Sequence, residues 1–298
     1  MPRIALKIDV DTYRGTREGA VRLAQLLERL GVKATFLFSL GPDHTGRAIK
    51  RAFRRGFLGK VKRTSVLEHY GLKTLMYGVL LPGPHIGRRC AEEMRDIARR
   101  GFEVGVHTWD HVRWQDAVSG ASEEWTRREL TRSRDQFAEV FGHFPLVHGA
   151  AGWQMNKYVP RLQRELGFRY ASDTRGVAPF FPQLEGGVGE VPQLPTTLPT
   201  LDELIGRTDL PAADPVANLL ALTAAHAGRD QVFTLHAELE GGAYLGSFER
   251  LLRAWLKRGF ELADLGTYAA GLDLARLPQG RIIDGAVAGR SGTLAVQA

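Results

Sequence analysis

Short apolar segments typical of buried strands alternate with amphipathic helical segments along most of this 298-residue chain. The first unit shows the pattern: residues 3–9 are largely apolar, and the next segment has Thr16 as a candidate N-cap, leucines at helical spacing and Gly31 at its end. The pattern predicts strands at 3–9, 33–39, 102–107, 145–148, 168–172, 231–236 and 260–265, a short strand near 188–191, and helices at 16–31, 86–101, 122–141, 156–166, 215–227 and 245–258. Such alternation indicates a parallel sheet covered by helices. Seven or eight units without a glycine-rich dinucleotide turn favour an α/β barrel over a doubly wound sheet.

Composition narrows the class of protein. The apolar and charged fractions, 44% and 24%, are ordinary for a globular chain. Cys90 is the only cysteine, which excludes an intramolecular disulfide and fits a reducing compartment. The sequence contains no run of 18 apolar residues, and residues 1–11 lack the apolar core of a signal peptide. We therefore expect a cytoplasmic location.

Two segments interrupt or follow the alternating pattern. Residues 41–86 separate the second strand from the next helix, and residues from 276 onward are rich in Gly and Ala. The expected organisation is one barrel over 1–275, with an insertion at 41–86 and a flexible tail at 276–298.

Polar side chains stand where five of the predicted strands end. In parallel α/β folds the carboxyl ends of the strands meet at one side of the sheet, where functional groups gather. We therefore expect these side chains to form one site. They are Asp9, Asp11, His107, His111, His148, Asp173, His236 and Glu238.

The types of these residues indicate hydrolytic metal chemistry. Asp9 and Asp11 are two apart and point to the same side of an extended segment, where two carboxylates repel unless a cation or proton compensates. His107 and His111 are four apart and can converge on one ion. Two histidines and one aspartate form an open ligand set with room for water. Asp9 is the candidate base and His236 the candidate acid for a leaving amine. A simpler alternative is that one aspartate caps the helix near Thr16.

Four ordered motifs resemble those of the polysaccharide deacetylase family, also called the NodB-homology or carbohydrate esterase family 4 domain. The motifs are DVD at 9–11, HTWDH at 107–111, HGAAGW at 148–153 and FTLHAE at 233–238. The resemblance spans about residues 3–265 and implies a distorted (β/α)7 barrel that removes an N-acyl group from an amino sugar. It also implies that Asp9 is the base, that Asp11, His107 and His111 hold one divalent ion (zinc, manganese or cobalt), and that His236 is the acid.

The chain departs from the usual motifs of the family at two points. Val10 separates the two aspartates, and residues 148–152 replace an Arg-x-Pro turn whose arginine pairs with the base. At both points the sequence is similar to a subgroup of the family that acts on an amino sugar carried by a polyprenyl phosphate. That resemblance implies deformylation of 4-deoxy-4-formamido-L-arabinose on undecaprenyl phosphate, at the cytoplasmic face of the bacterial inner membrane. This reaction belongs to lipid A (lipopolysaccharide) biosynthesis and polymyxin resistance.

The insertion is strongly basic and amphipathic. Between His44 and Leu67 there are eight Lys or Arg and no acidic residue, so that segment carries +8 and the rest of the chain about −1. Such a helix predicts peripheral contact with an anionic membrane. The expected contact residues are Lys50, Arg51, Phe53, Arg54, Phe57, Lys60 and Lys62. The alternatives are a solvated basic helix packed on the barrel and a nucleic-acid site, although no nucleic-acid recognition motif accompanies the charge.

Several further residues are candidates for contacting the substrate or supporting the site. They are Arg14, Trp109, His148, Trp153, Asp173, Arg175 and Glu238. Solvation or ordinary packing is the alternative for each. Two other functions stay open: a soluble deacetylase of chito-oligosaccharide or peptidoglycan fragments, and a catalytically silent membrane-binding module. No protein partner can be inferred.

Overall fold

The structure is a computed structural model that describes residues 2–48 and 74–298. The predicted membrane-contact residues between Lys50 and Lys62 lie outside the described residues, so the predicted amphipathic helix stays a prediction. Within the described part of the chain, no helix is both long and apolar enough to cross a membrane.

The predicted strands are present in the described residues in the predicted order, together with four further strands. In chain order the strands are β1 Arg3–Val10, β2 Thr35–Ser39, β3 Glu103–Thr108, β4 Val147–His148, β5 Tyr170–Ala171, β6 Phe181–Leu184, β7 Gly187–Val188, β8 Gln231–His236, β9 Glu261–Ala263, β10 Gln279–Gly280, β11 Ile282–Gly285 and β12 Leu294–Gln297. Seven of them form one parallel sheet in the order β5–β4–β3–β2–β1–β8, with β9 paired to the first residues of β1. The sequence pattern does not predict the four further strands, β6, β10, β11 and β12.

An extended segment at 192–198 joins the two ends of this sheet. On one side, Ala171 N donates to Pro192 O at 2.9 Å and Leu194 N donates to Ala171 O at 2.7 Å. On the other side, Thr197 N donates to Val232 O at 3.1 Å. The sheet therefore closes into a distorted barrel of seven parallel strands, which confirms the predicted fold class.

Helices cover the outside of the barrel. They are α1 Val21–Leu30, α2 Ile86–Arg89, α3 Ala91–Arg99, α4 His111–Ala117, α5 Glu123–Phe141, α6 Val159–Glu165, α7 Leu201–Leu204, α8 Pro215–Ala225, α9 Leu245–Lys257 and α10 Leu265–Ala270, with short 3₁₀ turns at Val118–Gly120, Ala151–Trp153 and Leu274–Arg276. Local signals set the ends of α5: Ser122 Oγ accepts from Trp125 N, and Gly142 follows the helix with a φ of 79°.

The side chains of β1 point alternately to the outer and the inner side of the barrel wall. Ile4, Leu6 and Ile8 pack in the main core with the helices, whereas Ala5 packs in a smaller cluster with Leu37 of β2 and Val147 of β4. Because side chains alternate along a strand, Lys7 and Asp9 share the inner side with Ala5. The interior of the barrel therefore carries charge at the level where β1 ends.

The C-terminal residues differ from the predicted flexible tail. Strands β11 and β12 form an antiparallel hairpin, in which Leu294 and Ala295 are buried. Arg175 N donates to Ala295 O at 2.9 Å, and Gln297 N donates to Arg175 O at 2.8 Å. Four-residue strands carry too little alternation to be recognised in a Gly- and Ala-rich segment, and their partner near Arg175 is about 120 residues away.

The segment predicted as the start of the first helix is a π-helical turn, Gly15–Ala20, which continues into α1. This turn lies against the residues that follow β8, because a Cβ added to Gly19 would stand 2.1 Å from the carbonyl oxygen of Ala237. Close approach of two backbones therefore requires glycine at position 19.

The substitution Gly19→Ala tests this contact. We expect it to lower the free energy of unfolding by about 1–3 kcal/mol, because the backbone at Ala237 must move to admit a methyl group. Gly246→Ala in α9 is the matched control: a Cβ there meets no described atom within 4 Å, and removing a helical glycine is expected to stabilise by about 0.5–1 kcal/mol. Urea denaturation measures the free energy of unfolding of both variants. Changes of the same sign in the two variants would contradict a close backbone contact at Gly19.

Candidate metal centre and catalytic site

Five of the predicted site residues meet at the carboxyl ends of β1, β3 and β8. Asp9 lies in β1 and stands beside His236 of β8 in the parallel register. Asp11 follows β1 directly, His107 lies in β3, and His111 is the first residue of α4. The fold thus brings together side chains that are up to 227 positions apart in the sequence.

Asp11 lies between the two histidines. Its Oδ1 is 3.2 Å from His107 Nε2, and its Oδ2 is 3.3 Å from His111 Nε2. One ligand atom from each residue lies within 4.8 Å of the other two. The predicted ligand set is therefore assembled as three converging donors.

The hydrogen bonds of His107 fit a metal ligand. Its Nδ1 lies 2.6 Å from the carbonyl oxygen of Gly149, and a carbonyl can only accept, so Nδ1 carries the proton. Nε2 then presents a lone pair toward Asp11 Oδ1, a buried oxygen that receives no hydrogen bond from the described residues. Two facing lone pairs repel, and a divalent cation between them removes that repulsion. The donors therefore fit a cation such as zinc, manganese or cobalt, and three ligands of this kind do not select one of them.

The surroundings of the triad favour an ionised Asp11 and a neutral His111, whereas Asp9 and Asp11 outweigh burial and raise the pKa of His107. Burial would raise the pKa of Asp11, but the neighbouring His111 and His107 hold it well below its ordinary value. Burial lowers the pKa of His111, which favours the neutral ring that a metal ligand needs.

Glu238 fixes the loop that carries Asp11. Its Oε1 accepts hydrogen bonds from Asp11 N at 3.1 Å, from Thr12 N at 2.9 Å and from Thr12 Oγ1 at 2.8 Å. Glu238 is buried, and burial raises its pKa well above the ordinary value. Its role in this structure is to support the loop.

Asp9 is buried beside Lys7, a residue that the sequence did not single out for the site. Lys7 Nζ lies 3.2 Å from Asp9 Oδ2, and neither side chain is more than 3% exposed. The available sequence signal was a lysine inside an apolar strand, two residues before an aspartate.

His236 is held from two directions. Its backbone N donates to Glu240 Oε2 at 2.9 Å, and its Nδ1 lies 3.8 Å from Asp202 Oδ1. The ring of Trp153 stands edge-on to the imidazole, 6.3 Å between centroids. Sequence reasoning missed Asp202, because it lies in a proline-rich region between predicted elements.

Arg290 connects the C-terminal segment to this part of the site. Its Nη2 lies 3.2 Å from Asp202, and its guanidinium is 4.8 Å from the centroid of the buried Trp153 ring. The segment predicted as a tail therefore contributes to the surroundings of His236.

His148 and Asp173 lie behind the site. Both are fully buried, His148 Nδ1 is 2.8 Å from Asp173 Oδ1, and the same oxygen accepts from Ala150 N at 2.8 Å. This pair braces the 148–150 turn, whose Gly149 carbonyl accepts from His107. Their placement therefore supports a ligand instead of offering a surface to substrate.

The other predicted substrate residues have mixed surroundings. Arg14 is partly exposed and pairs with Glu18 at 3.3 Å, whereas Arg175 is buried and pairs with Glu203 at 2.5 Å. Trp109 is half-buried and packs edge-on against His85, 5.1 Å between ring centroids.

The motif pattern and the site geometry agree with a comparison against known families. A family model described as "Polysaccharide deacetylase" matches residues 2–171, more than half of the chain. The chain belongs to the polysaccharide deacetylase family. Membership identifies it as a hydrolase of carbon–nitrogen bonds and confirms the family predicted from the motifs.

Relatives of this polysaccharide deacetylase family member extend over nearly all of its length. It is 34% identical over 296 residues to "Probable 4-deoxy-4-formamido-L-arabinose-phosphoundecaprenol deformylase ArnD" of Shewanella sediminis, covering 99% of this chain and 95% of that protein. The protein of the same name from Wigglesworthia glossinidia brevipalpis is 32% identical, with 95% and 98% covered. Among solved structures, a Mycobacterium smegmatis protein assigned to the polysaccharide deacetylases matches with a TM-score of 0.66 at 19% identity, covering 96% of this chain and 94% of that one. That likeness shows the shared fold.

The carboxyl group of Glu240 is expected to make the stability of the folded protein depend on pH. Burial raises its pKa to about 8, so the folded protein holds a proton that the unfolded chain releases near pH 4.5. The stability that this group contributes is complete below pH 4.5 and is lost as the pH rises through about 8. We expect Glu240→Gln to raise the Tm at pH 9 relative to the unsubstituted protein and to change it little at pH 5. Thermal unfolding across this range measures the difference, and a gain confined to pH 5 would contradict the assignment.

Proposed function

We propose that this protein is a metal-dependent deformylase acting on 4-deoxy-4-formamido-L-arabinose linked to undecaprenyl phosphate. The observation that carries the proposal is the convergence of Asp11, His107 and His111 beside Asp9 and His236. The names of two relatives that align over almost the full length support the formyl group and the lipid-linked sugar. This reaction would place the protein in the modification of lipid A with aminoarabinose and in polymyxin resistance.

In this proposal Asp11, His107 and His111 would hold one divalent cation, which would supply Lewis acidity for the attack of water on the formyl group. The chain's own residues carry the protons. Asp9 accepts the proton that the attacking water loses, and its Oδ1 suits this role because no described residue donates a hydrogen bond to it.

His236 donates a proton to the sugar nitrogen as the carbon–nitrogen bond breaks. The products are formate and the free amine, and one water is consumed. His236 is 17% exposed in its side chain, so it can recover a proton from solvent, whereas Asp9 is nearly inaccessible. Asp202 Oδ1 lies 3.8 Å from Nδ1 of His236 and places a carboxylate beside the ring.

Deformylation can be tested directly by mass spectrometry of formamido-arabinosyl phosphoprenol after incubation with the protein. We expect loss of one formyl group with the metal-loaded protein, no loss after EDTA treatment, and recovery when zinc, manganese or cobalt is returned. An N-acetylated chito-oligosaccharide and a peptidoglycan fragment serve as competing substrates. Turnover of these and none of the formamido sugar would favour a soluble deacetylase.

Variants assign the roles within the same assay. Asp9→Asn should lower kcat by about 10²–10⁴-fold with the metal retained, because the base is lost and the ligands are not. Asp11→Ala should lose both its activity and its bound metal. Elemental mass spectrometry measures the metal content. Asp135→Asn on the exposed surface of α5 removes the same type of carboxylate and should change neither activity nor metal content. Binding to vesicles without turnover would favour the silent membrane module.

We further propose peripheral binding at the cytoplasmic face of the inner membrane. The charge of the predicted insertion supports it, since residues 44–67 carry eight cations and no acidic group. Two apolar side chains in the described part of the insertion also support it: Leu80 is 74% exposed and Val79 is 38% exposed. A basic segment beside exposed apolar side chains suits an anionic bilayer surface.

Vesicle sedimentation tests this surface. We expect binding to vesicles that contain phosphatidylglycerol, weaker binding at high salt, and little binding to vesicles of phosphatidylcholine alone. Replacing Lys50, Arg51, Arg54 and Lys60 by Gln should weaken binding at least about tenfold, since each cation near the surface is worth roughly 1 kcal/mol. The matched control replaces Arg22, Arg29, Arg250 and Arg253, four exposed arginines of α1 and α9. Equal losses in both would indicate a response to net charge alone.

A further inference from the structure

A buried ion pair lies directly below the proposed base. Lys7 precedes Asp9 by two residues in β1, so both side chains point into the barrel. Lys7 is fully buried, and its Nζ is 3.2 Å from Asp9 Oδ2. The ring of Trp153 lies on the same ammonium group, 5.2 Å from Nζ to the ring centroid.

Burying a lysine inside a barrel is costly unless an opposite charge compensates. An apolar residue would fill the same volume without that cost, as Ala5 does two residues earlier in β1 and Leu37 does beside Asp9 in β2. The presence of Lys7 therefore points to a need for positive charge at Asp9.

The turn after β4 leaves room for this lysine. A Cβ added to Gly149 would stand 3.0 Å from Lys7 Cε and 2.4 Å from Leu37 Cδ1. The same residue offers its carbonyl to His107 Nδ1. The 148–152 turn, which has no arginine, thus admits a cation that comes from strand β1.

We propose that Lys7 is a positioning residue for Asp9. Lys7 forms an ion pair with Oδ2 at 3.2 Å, and this leaves Oδ1 on the side of His107, 3.8 Å from its Nδ1. Lys7 also balances the negative charge of a carboxylate that stands near Asp11. Since Asp9 is a base only in the deformylase reaction, this assignment rests on the proposed function.

Steady-state kinetics with the formamido-arabinosyl substrate test the assignment. Lys7→Met keeps the length and removes the charge, and we expect kcat to fall at least about 30-fold while KM changes less than about threefold and metal content is unchanged. Lys7→Arg keeps the charge and should retain at least about a tenth of kcat. In the Asp9→Asn background, Lys7→Met should cause no further loss, because both changes remove one function. The proposal would be overturned if Lys7→Met kept the full kcat, or if the losses of kcat from Lys7→Met and Asp9→Asn multiplied in the double variant.

A second readout does not depend on activity. In metal-free protein, Lys7→Met leaves Asp9 buried without its partner and should lower the Tm, whereas adding Asp9→Asn should recover part of that loss. If the Tm changes of the two single variants were additive in the double variant, the pairing of Lys7 with Asp9 would be overturned. Lys7→Gln, which keeps a hydrogen-bond donor, replaces Lys7→Met in both measurements if the latter does not fold.

The two measurements separate this assignment from the proposed function. Wild-type protein that leaves the formamido sugar unchanged in the presence of metal would defeat the deformylase proposal, and the Tm cycle would still report whether Lys7 and Asp9 are coupled. Wild-type turnover together with an unaffected Lys7→Met would defeat only the role of Lys7.

Discussion

The arrangement of this site depends on keeping two carboxylates close together inside a barrel. Asp9 and Asp11 leave β1 on the same side, and their mutual repulsion must be balanced. Lys7 pairs with Asp9 from below, whereas the cation proposed for the site would balance Asp11 between His107 of β3 and His111 of α4. In the proposed reaction, one carboxylate serves proton transfer and the other binds the cation. Most other polar contacts near the site, such as those of Glu238 and Asp173, hold the segments on which these side chains stand.

Much of this arrangement could be predicted because it follows from short periodic signals. Apolar runs and helical spacing located the strands of the barrel, and the rule that parallel strands end on one side grouped Asp9, Asp11, His107, His111 and His236. These residues were recognisable because polar side chains at the ends of apolar strands stand out. The family and the fold class are both confirmed.

The parts that could not be predicted depend on contacts between distant segments. Lys7 looked like a charge in a strand, and only the burial of its ammonium beside Asp9 and Trp153 shows its surroundings. Asp202 and Arg290 reach His236 and Trp153 from regions with weak or no periodicity. The C-terminal hairpin is stabilised by hydrogen bonds to the backbone of Arg175. No local pattern in residues 276–298 indicates these hydrogen bonds.

The pairing of β1 with β8 has a consequence for how the chain acquires its site. Asp11 N and Glu238 Oε1 are joined across 227 positions, and Asp9 stands beside His236 in the same register. Closing a loop of this size is slow, so the first strand must wait for residues near 236 before its loop is fixed. The proposed ligand Asp11 and the proposed acid His236 are therefore fixed by the same late pairing. The proposed cation site and the proposed acid would therefore be completed together, late in folding.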